Sequence, residues 1–188
     1  MAWISGNYWL QQTAMENNAL IIANYGYSHG WTRNAIAAIL GNMQAESHIN
    51  PGIWENLTPY GGGYGLVQWT PYTKYSNWAT SMGYSWQDNG DAEMARISYE
   101  AANGLQWFYN SEIGMAPPIT FSQFLVSTLS VKTLSNYWLW FYEHPRDPYA
   151  GTQAYRQQLS QNWYNFIPGS GSRPIWMLFK FKDWRLLK

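Results

Sequence analysis

The sequence predicts an α+β fold, mostly helical, with one small β-hairpin. Three observations carry that prediction. Apolar residues recur at three- and four-residue spacing through most of the chain, as on the inner face of a helix. Many of those segments open on Ser, Thr or Asp, the residues that cap helix N-termini. Residues 51–69 break the pattern and contain Gly61-Gly62-Gly63 and Gly65, a density that suits turns. Apolar residues make up 46% of the chain, enough for a core, which excludes a disordered protein.

The elements follow in order. Thr13-Ala14-Met15-Glu16 has capping-box spacing and predicts a helix to about Tyr27. Thr32 caps a second helix, with Ile36, Ile39, Leu40 and Met43 facing inward. The glycine-rich stretch predicts the hairpin. Thr70-Pro71 reads as N-cap and first residue of a third helix bearing Tyr75, Trp78, Ala79 and Met82, stopped by Gly83. Asp91 opens a fourth, with Met94, Ile97, Ala101, Leu105 and Phe108. After Pro117-Pro118, Thr120 opens a short helix through Phe124 and Leu125. Ser130 opens another bearing Leu134, Trp138 and Phe141, ending before Pro145. Thr152 caps the last, with Tyr155, Leu159 and Trp163. Gly169-Ser170-Gly171-Ser172 has linker composition.

Composition narrows the chemistry. There is no cysteine, which removes disulfides, thiolate metal sites and a Cys nucleophile. Three histidines and no HExxH give no metal-site spacing, so no cofactor is expected. The N-terminus lacks the basic start and apolar run of a signal peptide, and no apolar stretch reaches membrane-spanning length. Nor is a nucleic-acid partner expected. Residues 1–172 carry six Lys/Arg against ten Asp/Glu, whereas residues 173–188 carry five bases and Asp183. An acidic body therefore ends in a basic segment. Aromatics reach 19%, with 13 Trp and 15 Tyr, whose flat faces fill cores and also stack on sugar rings.

Glu46 is the leading candidate for chemistry. The inward series Ile36, Ile39, Leu40, Met43 reaches positions 46 and 47 at the end of the second helix. A carboxyl there borders an apolar stripe and faces the negative end of the helix dipole, and both favour the neutral acid. A protonated glutamic acid is what a glycosidase uses on a leaving sugar oxygen. Ser47 can bond that carboxyl or cap the chain. Gly65 allows close backbone approach, and the Gln68 amide can donate and accept at once. Trp54, Tyr60, Tyr64 and Trp69 surround the proposed cleft as candidates for sugar stacking.

The stretch GNMQAESHINPGIWENL, then GGGYGLVQWTP, resembles the phage tail lysozyme family. The likeness runs from about residue 10 to 166 and includes Tyr142-Glu143-His144-Pro145. The Glu-Ser and Gly-Leu-x-Gln pairs are also similar to lytic transglycosylases and goose-type lysozymes. The resemblance implies a lysozyme-like fold with the hairpin beside the active-site helix. It implies a muramidase cutting bacterial peptidoglycan between N-acetylmuramic acid and N-acetylglucosamine. Glu46 matches the catalytic glutamate, and Gly65, Gln68 and Trp69 match the cleft hairpin.

For a second catalytic group, the resemblance offers Glu55, where related lysozymes place a carboxylate. Thr70 is the alternative, holding a water as in inverting phage lysozymes. With neither, the substrate's own N-acetyl or 6-hydroxyl group attacks, as in a lytic transglycosylase. Glu143 is a candidate substrate contact or catalytic group, competing with an ion pair to Arg146 or a helix cap. His48 borders the active loop, His29 reads as a helix end, and Glu100 reads as structural.

The domain reading is then 1–168 catalytic, 169–172 linker and 173–188 a cationic, apolar tail that attracts the enzyme to an anionic envelope. Relatives often carry a second peptidase domain, so this chain reads as a stand-alone lysin or a piece of a longer tail protein. A wall-binding module without catalysis is the competing class.

Overall fold

The computed structural model describes residues 1–144 and 149–169. The described helices are α1 (Gln12–Ser28), α2 (Arg33–Ser47), α3 (Thr73–Ser81), α4 (Gly90–Ala102), α5 (Phe121–Leu125), α6 (Val131–Trp138) and α7 (Ala150–Phe166). A 3-10 turn spans Glu55–Leu57, and α6 runs on into a wider π-turn over Leu139–Glu143.

The centre of the molecule is α2. Thr32 caps it, its hydroxyl accepting the Ala35 N–H at 3.2 Å. Ile36, Ile39, Leu40 and Met43 are fully buried, each worth about 1.5–3 kcal/mol of apolar transfer. Ala35, Ala37 and Ala38 are buried as well, so α2 is covered nearly all round, chiefly by α7 and α6. Gly41 explains how closely α7 approaches: a Cβ there would lie 2.4 Å from the backbone N of Ser160. Arg33 fastens the far end of α7, donating to the Tyr164 carbonyl at 2.6 Å with its guanidinium over that ring. Aromatic side chains fill the space beside α5 and α6, where Trp138 stacks on Tyr142 at 4.1 Å and Trp107 on Phe121 at 4.9 Å.

Several boundaries differ from the sequence expectations. Helix α1 begins at Gln12, so Thr13 lies inside it and caps nothing. Helix α3 begins at Thr73 because residues 71–75 first turn through Lys74 N–H to Pro71 and Tyr75 N–H to Tyr72 bonds. The Thr70 hydroxyl is spent on the Gln68 carbonyl at 3.0 Å instead of capping α3. Met82, placed on the inner stripe, is 55% exposed. For α4, Asn89 is the cap, and the helix stops at Ala102 before Gly104, leaving Leu105 and Phe108 outside it and exposed. Helix α7 starts at Ala150, two residues before Thr152.

The expected hairpin is also corrected. Among the described residues, 51–72 form no strands, only the isolated antiparallel bridges Trp54–Tyr64 and Tyr64–Trp69. Tyr64 serves both bridges, and Gly65 and Gln68 take positive φ, so the segment coils over the core instead of extending. The linker and tail expectations fall on residues 169–188, of which all but Gly169 lie outside the described residues.

Candidate active site

A cleft of about 760 Å³ opens between the end of α2, the glycine-rich loop and the π-turn that follows α6. Glu46 lies in the last turn of α2, which ends where His48 adopts a left-handed conformation (φ 52°). Its carboxyl lines the cleft and is partly exposed. Arg156 of α7 donates to Glu46 Oε1 as an ion pair. Ser47 does not bond that carboxyl; its hydroxyl donates to the carbonyls of Met43 at 3.0 Å and Leu66 at 2.8 Å, tying α2 to the loop.

The loop is held from several sides. Leu66 N–H donates to Glu93 Oε2 at 2.6 Å. Gln68 turns its amide inward, donating to the carbonyls of Gly65 at 2.9 Å and Ile53 at 3.2 Å. Trp69 is buried, donates to Glu100 Oε1 at 3.1 Å and stacks on Tyr75. Glu100, read as structural, is a hub: it also takes Arg96 Nε at 2.8 Å and the Tyr142 hydroxyl at 2.7 Å. Burial pushes its carboxyl above the ordinary value in spite of those donors.

The other candidates separate by position. Glu55 lines the cleft from the 3-10 turn and accepts the Gly63 N–H at 2.8 Å. Thr70 also lines the cleft. Trp54 and Trp69 contribute edges to it but are 5% and 3% exposed. Tyr64 is buried beneath the loop, its hydroxyl accepting the Asp88 N–H at 2.8 Å, and Tyr60 stands exposed against Trp54. Glu143 lines the cleft from the end of the π-turn, its Oε1 accepting Trp138 Nε1–H at 2.6 Å. Burial holds this carboxyl well above the ordinary value; the charge of Glu46 adds to that, while Arg156 and the Trp138 bond oppose it. The suggested ion pair to Arg146 falls outside the described residues. His48 packs against Trp9, and His144 is held below its usual value by burial. Among the described residues no group of three metal-ligating side chains gathers, and no helix is long and apolar enough to cross a membrane.

The sequence profile of the phage tail lysozymes matches residues 17–167, nearly all of the helical body and both sides of the cleft. The chain belongs to the phage tail lysozyme family. It is also 42% identical over 173 residues to "Morphogenesis protein 1" of Bacillus phage B103. That alignment takes in 91% of this chain but 45% of the relative, so the chain spans about half of that protein's length. Membership makes the chain a lysozyme-like phage protein.

Within this phage tail lysozyme, the structure adds cleft residues that sequence reasoning missed. Trp9, Phe108 and Tyr109 line the cleft and are 45%, 50% and 59% exposed. Lys74 lines it too. Phe108 was visible in the sequence only as a core residue of α4. Arg156 gave no signal, because 110 residues separate it from Glu46.

Proposed function

We propose that this chain cleaves the glycan strands of bacterial peptidoglycan between N-acetylmuramic acid and N-acetylglucosamine, with Glu46 as general acid. The observation that carries the reading is the Glu46 carboxyl at the end of α2, opening onto a cleft lined by exposed aromatics, in a phage tail lysozyme. Trp9, Phe108 and Tyr109, exposed in the same cleft as Glu46, are the candidates to stack on sugar rings. Glu46 gives its proton to the glycosidic oxygen as the bond to C1 breaks and positive charge grows on the sugar ring. The longer relative, named for morphogenesis, favours a virion-borne enzyme over a released lysin.

A second reading has a specific observation behind it. Glu55 already accepts the Gly63 N–H, and the Thr70 hydroxyl already donates to Gln68. With Glu55 Oε2 and the Thr70 hydroxyl proton already engaged, attack by the substrate's own 6-hydroxyl and a lytic transglycosylase product are favoured. Product mass separates the two, since an anhydro end is lighter than a hydrolysed one by one water, about 18 Da.

Glu46→Gln keeps the shape and removes the proton. General acid catalysis is worth about 10²–10⁴ in rate, so turbidity clearance of purified peptidoglycan should fall by that factor. A folded Gln variant retaining more than about a tenth of the wild-type rate removes Glu46 from the role. A wild-type protein that binds the wall material and leaves it intact makes the chain a binding module.

A further inference from the structure

One wall of the cleft comes from a part of the chain that the family profile does not reach. The profile match begins at residue 17, whereas Trp9, a cleft residue, lies in the arm that precedes α1. Two buried amides seat that arm. Asn18 of α1 and Asn50, just beyond α2, are both fully buried. Asn18 Oδ1 accepts the Ile4 N–H at 2.9 Å, and its Nδ2 donates to the carbonyls of Ile4 at 2.7 Å and Ile49 at 2.9 Å. Asn50 Oδ1 accepts the Gly6 N–H at 3.3 Å, and its Nδ2 donates to the carbonyls of Gly6 at 2.8 Å and Tyr8 at 2.7 Å. A buried amide without partners is costly, so the arm that supplies these partners stays in place. The backbones also meet closely: a Cβ on Gly52 would lie 2.5 Å from the Gly6 nitrogen.

That seating brings two side chains to the cleft wall. Asn7 spans the 3-10 turn Glu55–Leu57 from outside. Its Oδ1 accepts the Trp54 N–H at 3.1 Å, before the turn, and its Nδ2 donates to the Leu57 carbonyl at 2.9 Å, at the turn's end. Only one orientation of the amide satisfies both, because an N–H needs its oxygen and a carbonyl needs its NH2. The turn needs such a hold. Asn56 and Leu57 both have left-handed backbone, with φ of 51° and 57°, which side chains disfavour. Trp54, Glu55 and Asn56 all line the cleft. Two residues after Asn7, the Trp9 ring packs 4.8 Å from His48, beside the end of α2 that carries Glu46. Its backbone is held on both sides, by Asn50 through the Tyr8 carbonyl and by Leu10, which is buried with its carbonyl 3.3 Å from His48 Nδ1.

We propose that residues 3–10 form a wall of a glycan-binding cleft, in which Trp9 stacks on a sugar ring and Asn7 is a positioning residue that acts through the Glu55 turn. This rests on glycan occupying the cleft, as the muramidase reading has it. A sugar ring presents a face of C–H bonds, and an indole already fixed and half open to solvent covers that face without having to be ordered first.

Titration calorimetry tests this in the full chain carrying Glu46→Gln, with soluble chains of alternating N-acetylglucosamine and N-acetylmuramic acid as the probe. Trp9→Ala should raise Kd by about two- to tenfold, and Trp9→Phe by less, since a ring remains. Asn7→Ala should also raise Kd. Asn7→Asp, which keeps an acceptor for the Trp54 N–H and loses the donor to Leu57, should fall between Asn7→Ala and the parent. Tyr8→Ala is the control: Tyr8 sits between the two on the arm, is exposed, and bonds only the Ser5 carbonyl with its hydroxyl, so Kd should stay as it was. A merely structural arm would lower the melting temperature of these variants and leave the affinity of the folded protein alone. Unchanged affinity at either Trp9 or Asn7, or an equal loss at Tyr8, overturns the proposal. If the unsubstituted protein cleaves the glycan while the arm variants bind and cleave as it does, the arm fails and the muramidase stands. If the arm variants weaken binding and the unsubstituted protein cleaves nothing, the muramidase reading fails and the arm remains a wall of a binding cleft.

Discussion

Glu93 is fully buried under the loop, and only one of its oxygens has a partner among the described residues, the Leu66 N–H. Burial pushes its carboxyl well above the ordinary range. The unfolded chain ionises near the free glutamate value of about 4.3, so folding favours the protonated form. That contribution is complete below the unfolded value and is lost as pH rises toward the folded one. Glu100 and Glu143 shift the same way, so the protein should be most stable in mildly acidic solution. Glu93→Gln keeps an acceptor for Leu66 and does not titrate. Melting temperatures across about pH 4.5 to 8 should fall less steeply for the variant than for wild type. Parallel curves would show that folding does not shift the ionisation of Glu93. Glu46 was legible because its signal is local: a carboxyl continuing an apolar stripe at a helix end. Arg156 and Glu93 were not, since an ordinary helical Arg or Glu acquires its role only from what the fold places against it.

At the scale of elements, helix existence was written in apolar spacing, and the Thr32, Thr120 and Ser130 caps fell where the sequence puts them. The failures have one cause. Thr13, Thr70 and Thr152 are good capping residues, but chain geometry set by packing started α1 and α7 earlier and α3 later. Glycine density was read as a hairpin, whereas bonds from the loop backbone to Ser47, Glu55 and Glu93 replace a strand ladder. Gly65 is the point where that matters most. Its φ is +81°, and an added Cβ would lie 2.6 Å from both Glu93 oxygens. The left-handed backbone alone costs a non-glycine residue about 1–2 kcal/mol, and the clash adds to it. Gly65→Ala should lower the melting temperature and reduce kcat, because the displaced loop carries Val67, Gln68 and Trp69 into the cleft wall. A variant with wild-type stability would mean that Glu93 yields freely, and that the loop is not pinned by it.

At the scale of the whole molecule, the family match ends at residue 167, one residue past the end of α7. Ile167 is buried, and the Tyr27 hydroxyl donates to the Pro168 carbonyl, so the described body closes on itself there. Residues 173–188 carry five bases and one acid beyond a Gly/Ser stretch, against a body of opposite sign. We propose that this segment is an electrostatic accessory to the lysozyme body. Charge of that kind acts through attraction to anionic envelope polymers and lipids, and it is screened within about 10 Å at 0.1 M salt. Deleting residues 170–188 should leave the clearance rate of purified peptidoglycan nearly unchanged, since the cleft residues among those described all lie before them. Lysis of intact cells should fall, and the gap between full-length and shortened protein should close as salt is added. If the shortened protein melts at a lower temperature, or loses the same factor on both substrates, the segment contributes to the folded body and the electrostatic role is wrong.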